Sequence, residues 1–422
     1  MSADPLRPPQ AAPLVLFGAF DRHNFGDLLL GRIAAAQAAC LAPGRPLRFA
    51  GLAARDLRAD GGPLVEPVDE IGRALRQRAA ADPQAAPPGL LQVGGEILDC
   101  RAYEAAIMLM SRDEAARAIA HHDRDLAGRE RWGQQWLGIA RQLPYLASAP
   151  MLPPATRIVH AGVGGVGLAG LPRVVQAEAC AALRDAALVQ VRDQRTQAWL
   201  ATAGIATSLA PDPATLVARV LGVQIAGRAG QGEAARIRAR FPGGWIAAQL
   251  SAEFGDDATL DALAAGLDPL LRDSGLGLVL FCAGVAPWHD DPAVLHRLRD
   301  RLREPARCHV ATTTHLLELC ALLAGCTLCL ASSLHARIVA EAFARPAASL
   351  VRAGTQGDKL RAYLETWHAE ALHLHDITAG GPIRAAQAAQ AEPTSKRDAR
   401  AARLAGLAAD AAGRYFAALD GR

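Results

Sequence analysis

The sequence predicts an α/β protein of two doubly wound domains facing a cleft, and three observations carry that expectation. Short apolar runs suited to buried parallel strands alternate with helical segments in both halves of the chain. At 422 residues the chain exceeds the size at which one hydrophobic core keeps growing. The runs that read as strands leave through Gly, Ser, Asn or Asp, the residue types found where doubly wound sheets hold their ligands.

Taken in order, residues 1–13 are Pro- and Ala-rich and read as a loose tail. Leu14 opens the strand LVLFGAF, the loop DRHNFGD follows, and LLLGRIAAAQAAC is strongly helical. LRFAGL and GLLQVGG are the next strands, each followed by helical sequence. RIVHAGVGG and ALVQVRD are two more, and TSLAPDPA closes a first domain placed at 14–222. The Gly- and Arg-rich stretch 222–244 reads as a linker. The second domain, 240–383, has strands in GWIAAQL, GLGLVLFCAG and CTLCLASS, with AASLVR the last. Residues 384–422 form an Ala/Arg-rich helical tail broken once around EPTSKRD.

Composition narrows the function. The chain is 51% hydrophobic and 21% charged, as in ordinary globular proteins. It has no clean run of about 20 apolar residues and no signal-peptide pattern, so a cytoplasmic enzyme is expected. The net charge of +3 comes from arginines spread among carboxylates, without the basic stripe that nucleic acid needs. Ala is the most abundant residue and the only lysines are Lys359 and Lys396, a usage that resembles GC-rich coding. The eight cysteines show no disulfide framework, and Cys326 and Cys329 read as buried thiols. His121-His122-Asp123 and His289-Asp290-Asp291 are adjacent rather than helix-spaced, and no metal site is expected.

Five strand exits are candidates for chemistry. Asn24-Phe25-Gly26-Asp27 follows the first strand, with Gly26 allowing a tight turn and Asp27 placed to cap the next helix; a plain helix cap fits the same residues. Gly94-Gly95-Glu96 and the run Gly162 to Gly167, including Gly164, let a phosphate or sugar approach backbone N–H groups, although close strand–helix packing uses the same glycines. Arg192-Asp193 is either a structural ion pair or, through Arg192, a bidentate clamp for carboxylate or phosphate. Ser332-Ser333-Leu334-His335 is the most pointed. The serines stand at a helix N-cap, where free N–H groups favour an anion, and His335 in the first turn can hand over a proton near neutral pH. Lys359 draws attention because lysine is otherwise nearly absent.

The order of these motifs resembles the polysaccharide pyruvyl transferase family. It runs from N-x-G-D (Asn24 to Asp27) through the double glycine (Gly94, Gly95), G-V-G-x-V-G (Gly162 to Gly167), V-R-D (Val191 to Asp193) and P-D-P-A (Pro211 to Ala214) to S-x-L-H-A (Ser332 to Ala336) and Lys359 with Tyr363. The resemblance covers about residues 14–370. It implies a GT-B-like pair of Rossmann domains and transfer of pyruvate from phosphoenolpyruvate (PEP) to a sugar diol as a cyclic ketal, with PEP a co-substrate and no cofactor. Many members carry Arg just before Leu-His in the last motif, where Ser333 stands here.

Carried onto this chain, the resemblance makes His335 the general acid. Asp27 and Asp193 become the base or orienting carboxylate. Arg192, Ser332, Ser333 and Lys359 would bind the donor on the C-terminal side. Asn24, Gly26, Gly94, Gly95, Glu96 and Gly164 would bind the acceptor on the N-terminal side. The acceptor is a sugar or glycan, free or lipid-linked; a lipid-linked acceptor would bring the enzyme to the inner face of the membrane. The tail would brace the domains, its mostly Ala face being poorly suited to lipid, or else lie on an anionic membrane surface. The alternatives are a GT-B glycosyltransferase using a nucleotide sugar and a non-catalytic member of a glycan-assembly complex.

Overall fold

Fourteen strands in two sheets organise the computed structural model, which describes residues 12–352, 358–368 and 373–421. Most of the expected N-terminal tail, residues 1–11, lies outside the described residues. The first sheet comprises β1 (Leu14–Phe17), β2 (Leu47–Gly51), β3 (Arg55–Asp56), β4 (Leu64–Pro67), β5 (Gly89–Glu96), β6 (Arg157–Gly164), β7 (Leu188–Val191) and β8 (Ser208–Leu209). The second comprises β9 (Trp245–Gln249), β10 (Gly277–Leu280), β11 (Cys308–Val310), β12 (Leu328–Ala331), β13 (Ala347–Val351) and β14 (Leu374–Asp376).

Their orders are β3-β4-β2-β1-β5-β6-β7-β8 and β11-β10-β9-β12-β13-β14. Every pairing is parallel except β3 with β4. β1 and β9, central in their sheets and covered by helices on both faces, are buried at every residue, which is why they read as continuous apolar runs. Both sheets reverse direction of winding beside these strands, so the crevice beyond their carboxyl ends is the expected ligand site.

The two-domain α/β fold matches the expectation, with local corrections. The stretch 222–244 is mostly helical rather than a free linker: helices Val217–Arg228 and Gly232–Arg240 bury Ile225, Ala234 and Ile237. AASLVR is followed by one more strand, β14. The strands β3, β4 and β11, of two, four and three residues, escaped the sequence reading because they are too short to show a strand pattern. The tail breaks at Glu392-Pro393 into helices Gly381–Ala391 and Thr394–Asp420. The first packs on the second sheet, while Leu404, Tyr415 and Phe416 of the other enter the core that joins the domains. There the Tyr415 hydroxyl donates to Gln37 Oε1 at 2.6 Å. No described helix is long and apolar enough to cross a membrane.

The domains are clasped at the mouth of the crevice. The loop after β1 and the loop after β10 pair in a short antiparallel bridge at Asn24 and Gly284. Phe25 N donates to Ala283 O at 2.6 Å, and Val285 N donates to His23 O at 3.2 Å. On the other flank Trp367 Nε1 donates to Arg192 O at 2.8 Å.

Candidate functional site

A cavity of about 950 Å³ lies between the sheets, walled by the loops after β1, β5, β7, β9, β10 and β12. His335 stands on its wall in the first turn of helix Leu334–Ala342. That helix starts where it does because Ser333 is the N-cap, its hydroxyl accepting from Ala336 N at 3.3 Å. Gln249 at the end of β9 fixes the loop: its Oε1 accepts from Ser333 N at 2.7 Å and from Ser332 Oγ at 3.2 Å. The amides of Leu334 and His335 precede the first intrahelical bond, Arg337 N to Ser333 O, as at any helix start.

The His335 ring crosses to the other domain. Its Nε2 lies 3.4 Å from Asp212 Oδ2, a charge contact rather than an aligned hydrogen bond. Asp212, fully buried in the turn after β8, also takes a bond from Arg192 Nη1 at 2.9 Å and caps Ala214 N. Arg192 Nη2 reaches Glu96 Oε2 at 2.6 Å, and the other Glu96 oxygen accepts from Val166 N at 2.7 Å. Burial opposes the charge on Asp212, but His335 and Arg192 outweigh it and hold the carboxyl well below the aspartate range. Burial likewise opposes the charge on Arg192, while Glu96 and Asp212 keep the guanidinium firmly protonated. The result is a chain of alternating charge, Glu96–Arg192–Asp212–His335, running from the N-terminal domain to the helix start in the other.

The other predicted residues divide. Asn24, not Asp27, is the N-cap of helix Phe25–Leu41: its Oδ1 accepts from Gly26 N and Asp27 N, while Nδ2 contacts His289 Nε2 at 2.7 Å. Asp27 instead faces the cavity from the first turn, 3.4 Å from Arg22. Gly26 is not a turn glycine either; it lies within the helix, and a Cβ there would collide with the His335 ring. Gly95, with φ of +93°, lines the cavity, where a Cβ would face Asp27 Oδ1 at 3.2 Å. Gly94 is buried in β5, off the cavity wall, and a Cβ on Gly164 would collide with Glu96 and Arg192. Ser332 and Ser333 line the cavity, and Lys359 reaches it from the exposed face of helix Asp358–Trp367.

Two charged residues also stand differently from their expected roles. Asp193 is a helix cap off the cavity wall, accepting from Thr196 N at 2.7 Å and Thr196 Oγ1 at 2.9 Å. Arg192 lines the cavity, but its fork is already closed on Glu96 and Asp212.

Sequence reasoning missed Arg22, whose side chain is only 10% exposed. Arg22 stacks on the Tyr145 ring at 5.1 Å, and its Nε and Nη1 have no hydrogen-bond partner among the described residues. It also gave no role to Asp212, although the P-D-P-A motif contains it, or to Asp290. Asp290 accepts from Gln249 Nε2 at 2.8 Å and Ala283 N at 2.6 Å.

Burial pushes the Asp290 carboxyl up to about 7. Burial, reinforced by the charge of Glu96, does the same for Asp99, also to about 7. The folded state then keeps these protons up to about pH 7, whereas the unfolded chain releases them near pH 4. Stability of the ligand-free protein is therefore expected to fall as pH rises from about 4 to 7 and to level off above. Melting curves across that range check this. Asp99→Asn should flatten the slope, and an unchanged slope would contradict the assignment.

Fold and site together define a GT-B-like protein, two Rossmann-like domains closed over an interdomain cavity. Residues 163–353 match the model of the polysaccharide pyruvyl transferase family, a span that holds Arg192, Asp212 and His335. No curated protein matches the chain. A Listeria monocytogenes protein assigned as a UDP-N-acetylglucosamine 2-epimerase is similar in structure, with a TM-score of 0.55, 12% identity and coverage of 97% of this chain and 96% of that one. The UDP-GlcNAc 2-epimerase from Neisseria meningitidis, bound to UDP-GlcNAc, has a TM-score of 0.53 at 11% identity, covering 97% and 100%. The Rickettsia bellii UDP-N-acetylglucosamine 2-epimerase follows at 0.50 and 10%, covering 95% and 94%. At such identities the likeness is one of fold.

Proposed function

We propose that the protein is a PEP-dependent ketal pyruvyl transferase acting on a sugar diol. The observation that carries this reading is the placement of His335: a proton carrier at a helix N-terminus, on the cavity wall, backed by Asp212 from the opposite domain. PEP becomes electrophilic at C2 when its methylene carbon takes a proton. His335 supplies that proton as an imidazolium that Asp212 stabilises. One acceptor hydroxyl attacks C2, losing its proton to Asp27, and the adduct carries a methyl group and the phosphate. The second hydroxyl then attacks C2 and returns a proton to His335, the C–O bond to phosphate breaks, hydrogen phosphate leaves with the proton held by Asp27, and the ketal ring closes.

The donor's anionic groups need cations and N–H donors. Arg22, poorly paired and nearly buried, and Lys359 supply the first; the start of helix Leu334–Ala342 supplies the second. Arg192, with both arms occupied, serves by positioning Asp212 and Glu96 rather than by gripping PEP. The cavity volume falls within the range of small-molecule sites, about 300–1,000 Å³, and leaves room for a three-carbon donor beside a sugar. The acceptor is a sugar or glycan, and a lipid-linked one would draw the enzyme to the membrane surface.

Calorimetry with PEP, UDP-glucose and GDP-mannose tests the donor. PEP binding that weakens in Arg22→Ala supports this reading; binding of a nucleotide sugar and not PEP selects glycosyl transfer instead. The contact between Gly26 and His335 gives a second test. Gly26→Ala should force the His335 ring aside and lower kcat by about 10²-fold, the usual cost of a misplacement near 1 Å. A wild-type kcat in that variant would contradict the placement.

A further inference from the structure

One part of the cavity wall has no task in donor activation. Trp288, in the loop after β10, is 47% exposed, lines the cavity and holds the left-handed φ of +64° that bulky residues rarely adopt. Its ring meets Tyr103 of the other domain edge to face, with centroids 5.7 Å apart. Tyr103 is itself 2% exposed, held by Trp132 at 5.8 Å and by the Arg129 guanidinium at 5.0 Å from its centroid. The Tyr103 hydroxyl is buried and has no hydrogen-bond partner among the described residues. Glu104, the next residue, is exposed on the cavity wall, and Asp99 and Asp123 share that wall.

An exposed indole beside carboxylates and an unpaired phenol suits a neutral polyol. The CH face of a sugar ring packs on an aromatic face, and its hydroxyls donate to carboxylates and accept from a phenol. We propose that Trp288, Tyr103, Asp99 and Glu104 form the subsite for the acceptor's sugar ring, with Trp288 stacking on it and the carboxylates taking its hydroxyls. The subsite joins both domains, so the acceptor ring bridges them. Its place in the reaction rests on the pyruvyl-transfer reading; sugar binding itself does not.

The test is saturation-transfer NMR on the full chain with methyl β-galactoside, methyl α-mannoside, methyl β-glucoside and uridine. At least one glycoside should receive saturation at its ring CH protons. Trp288→Ala and Glu104→Gln should weaken that binding roughly five- to tenfold, with Trp288→Phe restoring most of it. PEP binding by calorimetry should be unchanged in Trp288→Ala. Undiminished glycoside transfer in both Trp288→Ala and Glu104→Gln, no glycoside bound by the wild type, or uridine bound alone would overturn the subsite. Glycoside binding that depends on Trp288 without any PEP binding would leave the subsite standing and remove the pyruvyl-transfer reading instead.

Discussion

His335→Ala is expected to lower pyruvyl transfer by about 10²–10⁴-fold, the range for losing a positioned general acid. The ring sits at a partly exposed cavity edge, so the variant should fold, and circular dichroism and melting should stay close to wild type. Asp212, freed of its contact with the ring, keeps Arg192 as partner. The loss should fall mainly on kcat, because the proton is needed in the transition state and not to hold PEP in the ground state. Single-turnover measurements on variant and wild type separate the two. A drop confined to KM, with kcat preserved, would make His335 a binding residue only.

Asp212→Ala is expected to carry the largest stability cost of any single change at the site. It removes one of the two carboxylates that neutralise Arg192, whose side chain is 3% exposed, and the cap on Ala214 N. Breaking a buried pair by deleting one partner costs about 3–5 kcal/mol. Asp212→Asn keeps an acceptor for Ala214 N while removing the charge, so it should cost less stability and still slow turnover through the unsupported imidazolium. The Asp212 carboxyl is held below the aspartate range, so its stabilisation is present above about pH 4 and is lost as pH falls toward its folded value. The gap between wild type and Asp212→Ala in urea unfolding should therefore narrow in acid. An unfolding midpoint unchanged at neutral pH would show that the chain of charges is not what holds this junction.

Much of the fold was legible because buried parallel strands leave a local signature. LVLF, LRFAG, GLLQVGGE and WIAAQ stand out as apolar runs between helical stretches. Strands without that signature, such as Arg55–Asp56, exist only because a neighbouring edge offers hydrogen bonds. Parts of the site were legible too, since a serine N-cap ahead of Leu334-His335 marks a helix start from local sequence alone. The partners were not. That Arg192 is committed to Glu96 and Asp212, from β5 and the turn after β8, depends on contacts across 96 and 20 positions in the chain. Gly26 looked like a turn residue and instead leaves room for a ring belonging to the other domain. Arg22 was invisible because only the fold reveals that an arginine one residue after Asp21 is nearly buried and poorly paired.

The most direct test of the central claim is turnover of PEP in D₂O with a sugar acceptor, followed by mass spectrometry and phosphate assay. Proton transfer to the methylene carbon predicts one equivalent of phosphate per ketal formed and one deuterium in the ketal methyl group, both lost with His335→Ala. PEP left intact while the acceptor is glycosylated from a nucleotide sugar would contradict the account.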